Sequence, residues 1–198
     1  MNVTAQIRPA IVMIALLTLI VGLAYPLAIT GASQVLFPYQ ANGSLVYDGQ
    51  GNVIGSALIG QNFAKPEYFH PRPSAAGDKG YDANSSGGSN LGPTNQKLID
   101  TVKDRVAAYR QENGLAADAP VPVDAVTTSA SGLDPDISPA NALLQVKRVA
   151  AARGLPEERI TAVVDQHTQG RMLGILGEPR VNVLDVNLAL DALGRVGG

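Results

Sequence analysis

The chain has 198 residues, with 15 Lys plus Arg against 17 Asp plus Glu, a net charge of −2 and only 16% charged residues. The near-neutral balance argues against a nucleic-acid binder, which would carry a basic face. The complete lack of cysteine excludes disulfides, thiol nucleophiles, thiolate zinc sites and iron–sulfur clusters.

An ordinary soluble domain is about 25% charged, so the deficit must sit in one stretch. It does: between Arg8 and Asp48 lie 39 residues without a charge. Residues 10–32 carry only Thr18 and Thr30 as polar side chains. About 20 apolar residues suffice for a helix to span a hydrocarbon core of about 30 Å. A transmembrane helix is therefore expected over residues 9–33, marked by Ala10, Leu16, Gly22, Tyr25 and Pro26. A cleaved signal peptide would have a shorter apolar region and a better cleavage site than Thr30-Gly31-Ala32. Arg8 precedes the span, and no basic residue follows until Lys65. The positive-inside rule then assigns residues 1–8 to the cytoplasm and residues 34–198 to the outer side. Small residues four apart, Thr18 with Gly22 and Ala24 with Ala28, would let a second helix approach, though such pairs also arise by chance. Tyr25-Pro26 marks a kink or an interfacial aromatic.

Beyond Tyr39 the composition turns to Gly, Asn, Ser and charge. Leu45–Tyr47 and Val53–Ile59 read as a hairpin around a five-residue loop. From Lys65 to Asn95 no helix or strand period survives. The large side chains Tyr68, Phe69, Tyr81 and Leu91 argue against disorder there, so an ordered irregular surface element is expected. Leu98, Val102, Val106 and Tyr109 repeat at helical spacing, with Gly114 as the stop. Val121–Val126 reads as a strand. Ser138-Pro139 opens a helix with Leu143, Val146 and Val149 on its apolar face, and Gly154 closes it. Pro156-Glu157-Glu158 opens another, with Ile160, Val163, Val164 and His167 along one side. The last segment alternates at Val181 and Val183 like a strand, but Leu184, Leu188 and Ala192 favour a helix capped by Asn182. The fold class is α+β: one N-terminal transmembrane helix followed by a single soluble α+β domain.

Signals for chemistry are poor. There is no Gly-Lys-Ser/Thr phosphate loop and no Gly-x-Gly-x-x-Gly. His70 and His167 have no metal spacing around them, and no metal site is expected. Asp134-Pro135-Asp136 reads as turn chemistry ahead of a helix. Ser129-Ala130-Ser131-Gly132 lacks the hydrolase elbow. Ser85–Asn90 is Gly-rich and could offer backbone N–H groups to an anion, but no Lys follows it closely.

Several blocks in order resemble the C subunit of the Kdp potassium-transporting ATPase. They are the span with Tyr25-Pro26, Gly60-Gln61-Asn62-Phe63, Tyr68–Ala75, Tyr81-Asp82 and Gly87–Asn95. Further on come Val121–Asp124, Ser129–Asp134, Arg148–Ala150 with Arg153-Gly154, Gly177–Leu184 and Asn187–Asp191. Gln96 stands where the family suggests Pro, and Asp136 where it suggests His or Asn. The resemblance implies a single-pass inner-membrane subunit with no catalytic residues and no cofactor of its own. It implies assembly with a channel-like potassium-binding subunit, an ATP-hydrolysing P-type subunit and a small third subunit. It also implies a role as catalytic chaperone for ATP, which is used at the level of the complex. Any direct nucleotide contact would fall to Ser86, Gly87, Gly88 and Ser89, though an outward-facing domain conflicts with one. Docking on the channel-like subunit is assigned to Tyr68, Phe69, His70, Arg72, Tyr81 and Asn90, with packing inside the domain as the competing use. Two other classes stay open: a tethered exported hydrolase using Ser129 or Ser131, and a secreted binding protein with its signal removed.

Overall fold

The structure is a computed structural model that describes residues 3–195. Residues 1–2 and 196–198, the extremities of the expected cytoplasmic tail and outer domain, lie outside the described residues. The chain divides into two compact units, with the boundary after Leu45.

The first unit is helical. α1 (Val3–Leu17), a π-helical stretch (Thr18–Ala24) and α2 (Tyr25–Leu36) run on without interruption, and α3 (Pro38–Ala41) follows. Among the described residues, Thr4–Leu36 is the one helix long and apolar enough to cross a membrane. Its 33 residues extend beyond the expected 9–33 at both ends, and none of them is buried. Pro26 explains the π stretch. It has no N–H, and its ring clashes with the carbonyl four residues back in a regular α-helix. The helix widens instead, and Tyr25 N–H donates to the carbonyl of Ile20, five residues back.

The second unit is mixed. β1 (Leu45–Tyr47) and β2 (Val53–Ser56) form the expected hairpin, with the second strand shorter than anticipated. Asp48 shapes its loop: one carboxylate oxygen accepts from the N–H groups of Gln50 and Asn52, both at 2.8 Å. The other strands, β3 (Asp136–Ile137), β4 (Thr168–Gln169) and β5 (Arg180–Asn182), build an antiparallel sheet in the order β3-β5-β4. Five helices accompany them: α4 (Gln96–Glu112), α5 (Val123–Val126), α6 (Pro139–Arg153), α7 (Glu157–His167) and α8 (Val183–Arg195).

Helix ends follow local chemistry. Asn95 caps α4 by accepting from Lys97 N–H, and Ser138 caps α6 by accepting from Asn141 N–H. Gly154 ends α6 in the left-handed conformation, φ +63°. The ambiguous last segment is both things expected of it. Val181 pairs in β5, and Asn182 then caps α8 by accepting from Asp185 N–H.

Two expectations fail. Val121–Val126 is no strand; residues 123–126 form the single turn α5. Asp124 decides it, accepting from Ser138 N–H at 2.8 Å, Ser138 Oγ–H at 2.9 Å and Asn141 Nδ2 at 3.0 Å. These bonds outweigh the β preference of three valines. Leu143 is not on the buried face of α6 but exposed; Ala142, Val146, Val149 and Ala150 face inward. The core joins these to Ile137, Ile160, Val163, Val164, Val181, Val183, Val186 and Leu190, and one more side chain, Phe69, comes from the irregular segment.

Candidate functional site

The Lys65–Asn95 segment is ordered and irregular, as its composition suggests. Its placement comes from polar side chains on α6 and α8 that bond its backbone. Asn187 of α8 accepts from Phe69 N–H at 2.8 Å and returns a bond from Nδ2 to Phe69 O at 3.0 Å. Gln145 of α6 does the same one residue on. Its Oε1 accepts from His70 N–H at 2.7 Å, and its Nε2 donates to His70 O at 3.2 Å. Both amides are almost fully buried. Each replaces two backbone bonds that the segment, lacking a strand partner, would otherwise leave unmade.

Two arginines complete the clamp. Arg148 Nη1 donates to Pro66 O at 2.7 Å and Tyr68 O at 2.9 Å, and its Nη2 to Gln145 Oε1 at 2.7 Å. Arg153 Nε donates to Glu67 O at 2.7 Å, and its Nη2 to Asp191 at 2.8 Å. The same guanidinium lies 5.1 Å from the centre of the Tyr68 ring, while Tyr68 Oη–H donates to Asp191 at 3.1 Å. Arg148, Arg153, Gln145 and Asn187 went unassigned at the level of sequence. One signal was available: Asn141, Gln145 and Arg148 recur at helical spacing beside the apolar stripe of α6.

The residues expected to dock divide accordingly. Phe69 is a core residue with no exposed surface, which corrects its assignment to a docking face. It belongs to the core cluster built by α6, α7, α8 and the sheet, against which the half-buried Phe63 also packs. Tyr68, His70, Arg72 and Tyr81 are half-buried and Asn90 is exposed. His70 Nδ1 donates to Glu112 at 2.9 Å. That bond, against the opposing effect of burial, holds the Glu112 carboxyl below its usual range. Arg72 Nη1 bonds Asp134 at 2.8 Å, and Tyr81 Oη–H donates to Arg72 O. Burial pushes the Tyr81 phenol well up from its ordinary value. Asp134 also accepts from Asp136 N–H at 3.0 Å; the Asp-Pro-Asp run makes this one side-chain bond but leads into strand β3 and not, as expected, through a backbone turn into the helix. A cleft of about 380 Å³ lies beneath the segment, lined in part by His70, Arg72, Lys79, Tyr81, Glu112 and Gln145.

The Gly-rich run is occupied by the protein itself. Ser86 Oγ–H and Gly87 N–H both donate to Ser131 O at 2.9 Å. A Cβ at Gly88 would sit 3.0 Å from Ala130 O. The close approach of Ser129 and Ala130 accounts for Gly88, whereas a Cβ at Gly87 would meet only ordinary contact. Ser89 is exposed beside them. Ser129 is buried, and Ser131 Oγ accepts from Leu133 N–H at 3.1 Å. The side-chain bonds of His70 go to Glu112, Lys65 and Arg148, so it is not bonded to either serine. No group of three or more potential metal ligands occurs among the described residues.

Comparison with known proteins gives one consistent result. Residues 7–192 match the family described as KdpC, K+-transporting ATPase, c chain. A potassium-transporting ATPase KdpC subunit of Caulobacter vibrioides (strain NA1000 / CB15N) is 61% identical over 188 residues, 95% of this chain and 93% of that protein. One from Gemmatimonas aurantiaca (strain DSM 14586 / JCM 11422 / NBRC 100505 / T-27) is 59% identical over 95% of this chain and 93% of its own. One from Mycobacterium tuberculosis (strain ATCC 25177 / H37Ra) is 57% identical, with coverages of 95% and 98%.

Proposed function

Given that the chain belongs to the KdpC family, the c chain of the K+-transporting ATPase, we propose that it is the non-catalytic, membrane-anchored accessory subunit of a potassium-importing pump. The observation that carries this reading is the extent of the match. It runs from residue 7 to residue 192, through both the apolar helix Thr4–Leu36 and the α+β domain.

The partners are a channel-like potassium-binding subunit, an ATP-hydrolysing P-type subunit and a small third subunit. The helix is the anchor in the inner membrane. Arg8 on one side, and the lack of basic residues before Lys65 on the other, support an inside amino terminus and an outside domain. The chain acts as catalytic chaperone by stabilising the assembly, not through a nucleotide held at Ser86–Ser89. What supports this is that Gly87 N–H is already bonded to Ser131 O, leaving a poorer set of donors for a phosphate. The half-buried Arg72 and Tyr81, with exposed Asn90, remain the docking candidates of the irregular segment.

The test is co-purification of the tagged full chain from membranes of potassium-starved cells. The reading expects the ATP-hydrolysing and potassium-binding subunits in stoichiometric amounts, and ATPase activity lost when this chain is omitted. A reporter active only outside the cytoplasm, fused at the carboxyl end, should be active. Purification of the chain alone would overturn the reading.

A further inference from the structure

The ring of His70 joins the irregular segment to α4, and its partners do not suit a neutral imidazole. Nδ1 lies 2.9 Å from Glu112 Oε1, and Nε2 lies 2.9 Å from Lys65 O. A backbone carbonyl can only accept, and so can an ionised carboxylate. The Glu112 carboxyl is held below its usual range, so it is ionised at neutral pH. A neutral imidazole has one N–H to give. Two acceptor-only partners therefore call for the doubly protonated ring, with Nδ1–H and Nε2–H both donating.

One contact runs the other way. Arg148 Nη1 stands 3.4 Å from Nε2, and a guanidinium can only donate. Nη1 carries two hydrogens, and these go to Pro66 O at 2.7 Å and Tyr68 O at 2.9 Å. Lys65 O is the nearer partner of Nε2 and Arg148 the alternative one.

Nε2–H holds a turn. Tyr68 N–H also donates to Lys65 O, at 3.1 Å, so one carbonyl both closes the Lys65–Tyr68 turn and ties it to the ring. The backbone of His70 is fixed independently, since Gln145 of α6 bonds its N–H and its carbonyl. Loss of one ring proton then has a defined result. The proton facing Glu112 is kept, because a charge-assisted bond to a carboxylate is the stronger. The other passes from Nε2 to bulk water, and Nε2 is left as an acceptor facing another acceptor, Lys65 O. The same bare nitrogen attracts Arg148 Nη1, which is holding Pro66 O and Tyr68 O.

The charged and titratable groups about the ring come from three directions. α4 presents Glu112 and, on the same cleft wall, Tyr109, whose phenol burial pushes up and keeps neutral. α6 presents Arg148. The irregular segment brings Lys65, whose ammonium lies 3.9 Å from Glu67, with Arg72 and Lys79 on the cleft wall. Arg72 is paired with Asp134. Imidazole is the side chain that ordinarily exchanges its proton between about pH 5 and 8. With 20% of the His70 side chain exposed, water reaches it.

We propose that His70 is a pH-operated latch on the Lys65–Tyr68 turn. The doubly protonated ring ties the turn to Glu112, and loss of the Nε2 proton frees Lys65 O and draws Arg148 off Pro66 and Tyr68. The latch thereby loosens the start of the segment that carries Arg72 and Tyr81. It is a property of the domain, whichever side of a membrane the domain faces.

The chain holds two histidines, His70 and His167. In the full chain in detergent, His167→Gln with isotope-labelled histidine leaves one ring to follow by NMR. Both ring nitrogens should carry protons at about pH 5, and Nε2 alone should have lost its proton by about pH 8. Hydrogen exchange at the Tyr68 amide, corrected for its intrinsic pH dependence, should quicken about tenfold over the same interval. That is the factor supplied by losing one hydrogen bond of ordinary strength. His70→Gln should abolish this pH dependence. Glu112→Gln keeps an acceptor but removes the charge, and should move the transition toward acid. A ring already neutral at about pH 5, one still doubly protonated at about pH 8, or one that gives up the Nδ1 proton instead would overturn the latch. So would Tyr68 exchange that is flat with pH in the parent chain, a profile unchanged in His70→Gln, or a transition unmoved in Glu112→Gln.

Discussion

Two irregular stretches of the domain treat their large side chains in opposite ways. In Lys65–Asn95 the backbone is held by Asn187, Gln145, Arg148 and Arg153, and Phe69 goes to the core. Between β4 and β5 the turn bonds mainly to itself, and Met172, Leu173, Ile175 and Leu176 go to solvent. Composition points the other way, because aromatics and Arg are the usual interface anchors. The informative quantity is where the backbone hydrogen bonds end. A segment whose peptide groups are taken by buried side chains must bring its own side chains in with them. A turn that satisfies itself is free to present what it carries.

The largest test of that contrast is Phe69→Ala. Deleting a fully buried aromatic should cost about 3–5 kcal/mol of domain stability, read from urea unfolding followed by circular dichroism. A cost below about 1 kcal/mol would place Phe69 outside the core and dissolve the distinction between the stretches. Next in size is Arg148→Met, which keeps most of the apolar stem but removes the donors to Pro66 O, Tyr68 O and Gln145. About 2–3 kcal/mol should be lost, since hydrogen bonds from a charged group are the strong ones and carbonyls are left unpaired. If Arg148→Met were neutral, water would be an adequate substitute for the clamp, and the packing of Phe69 alone would hold the segment.

How much of this was legible beforehand depends on the range of the forces involved. Ser138 and Gly154 act within a turn of their own residue, and the helix ends they specify are where the sequence reading puts them. The apolar run after Arg8 was equally plain, because a membrane span needs only length and composition. The π-helical stretch needed one further step, the clash of Pro26 with the preceding turn. Val121–Val126 misled because its fate depends on Asp124 meeting Ser138 and Asn141, residues 14 and 17 positions away. Phe69 misled for the same reason at longer range: its backbone partner Asn187 lies 118 residues on. Leu143 was assigned to the core by period alone, while Asn141 and Gln145 took buried positions on α6 that a hydrophobic pattern cannot assign. The segment was therefore legible as an irregular element with large side chains, whereas the turning of Phe69 among them into the core was not.

In the turn between β4 and β5 the effects on stability should be small and of the opposite sign. Leu173→Asn replaces a leucine at φ +55° with a residue that tolerates the left-handed region. Domain stability should stay the same or rise by up to about 1 kcal/mol. A loss larger than that in the same urea experiment would show that Leu173 packs on the domain, and the outward character of the turn would be disproved.

The finest distinction between the two regions is electrostatic. Glu112 faces the clamped segment, and the hydrogen bond from His70 lowers its carboxyl, with Arg148 adding to the effect and burial opposing it. A carboxyl lowered in the folded state contributes stability that is present above the ordinary glutamate range and is lost as pH falls through the folded value. Asp136, bonded to Arg180 at 3.0 Å beside the base of the β4–β5 turn, is shifted the other way. Burial raises its carboxyl more than Arg180 lowers it, so its contribution is present in acid and is lost as pH rises through the raised value. The stability lost in Glu112→Gln should therefore grow as pH rises from about 3 to about 6, while that lost in Asp136→Asn should shrink or reverse over the same interval. Glu112 is 43% exposed, and solvent screening keeps its part to about 0.5 kcal/mol or less. Urea midpoints of the two variants against the parent chain across that range give the slopes directly. Slopes of the same sign would mean that one of the two carboxylates is not in the environment described, and the variant whose slope departs from its expected sign would identify which.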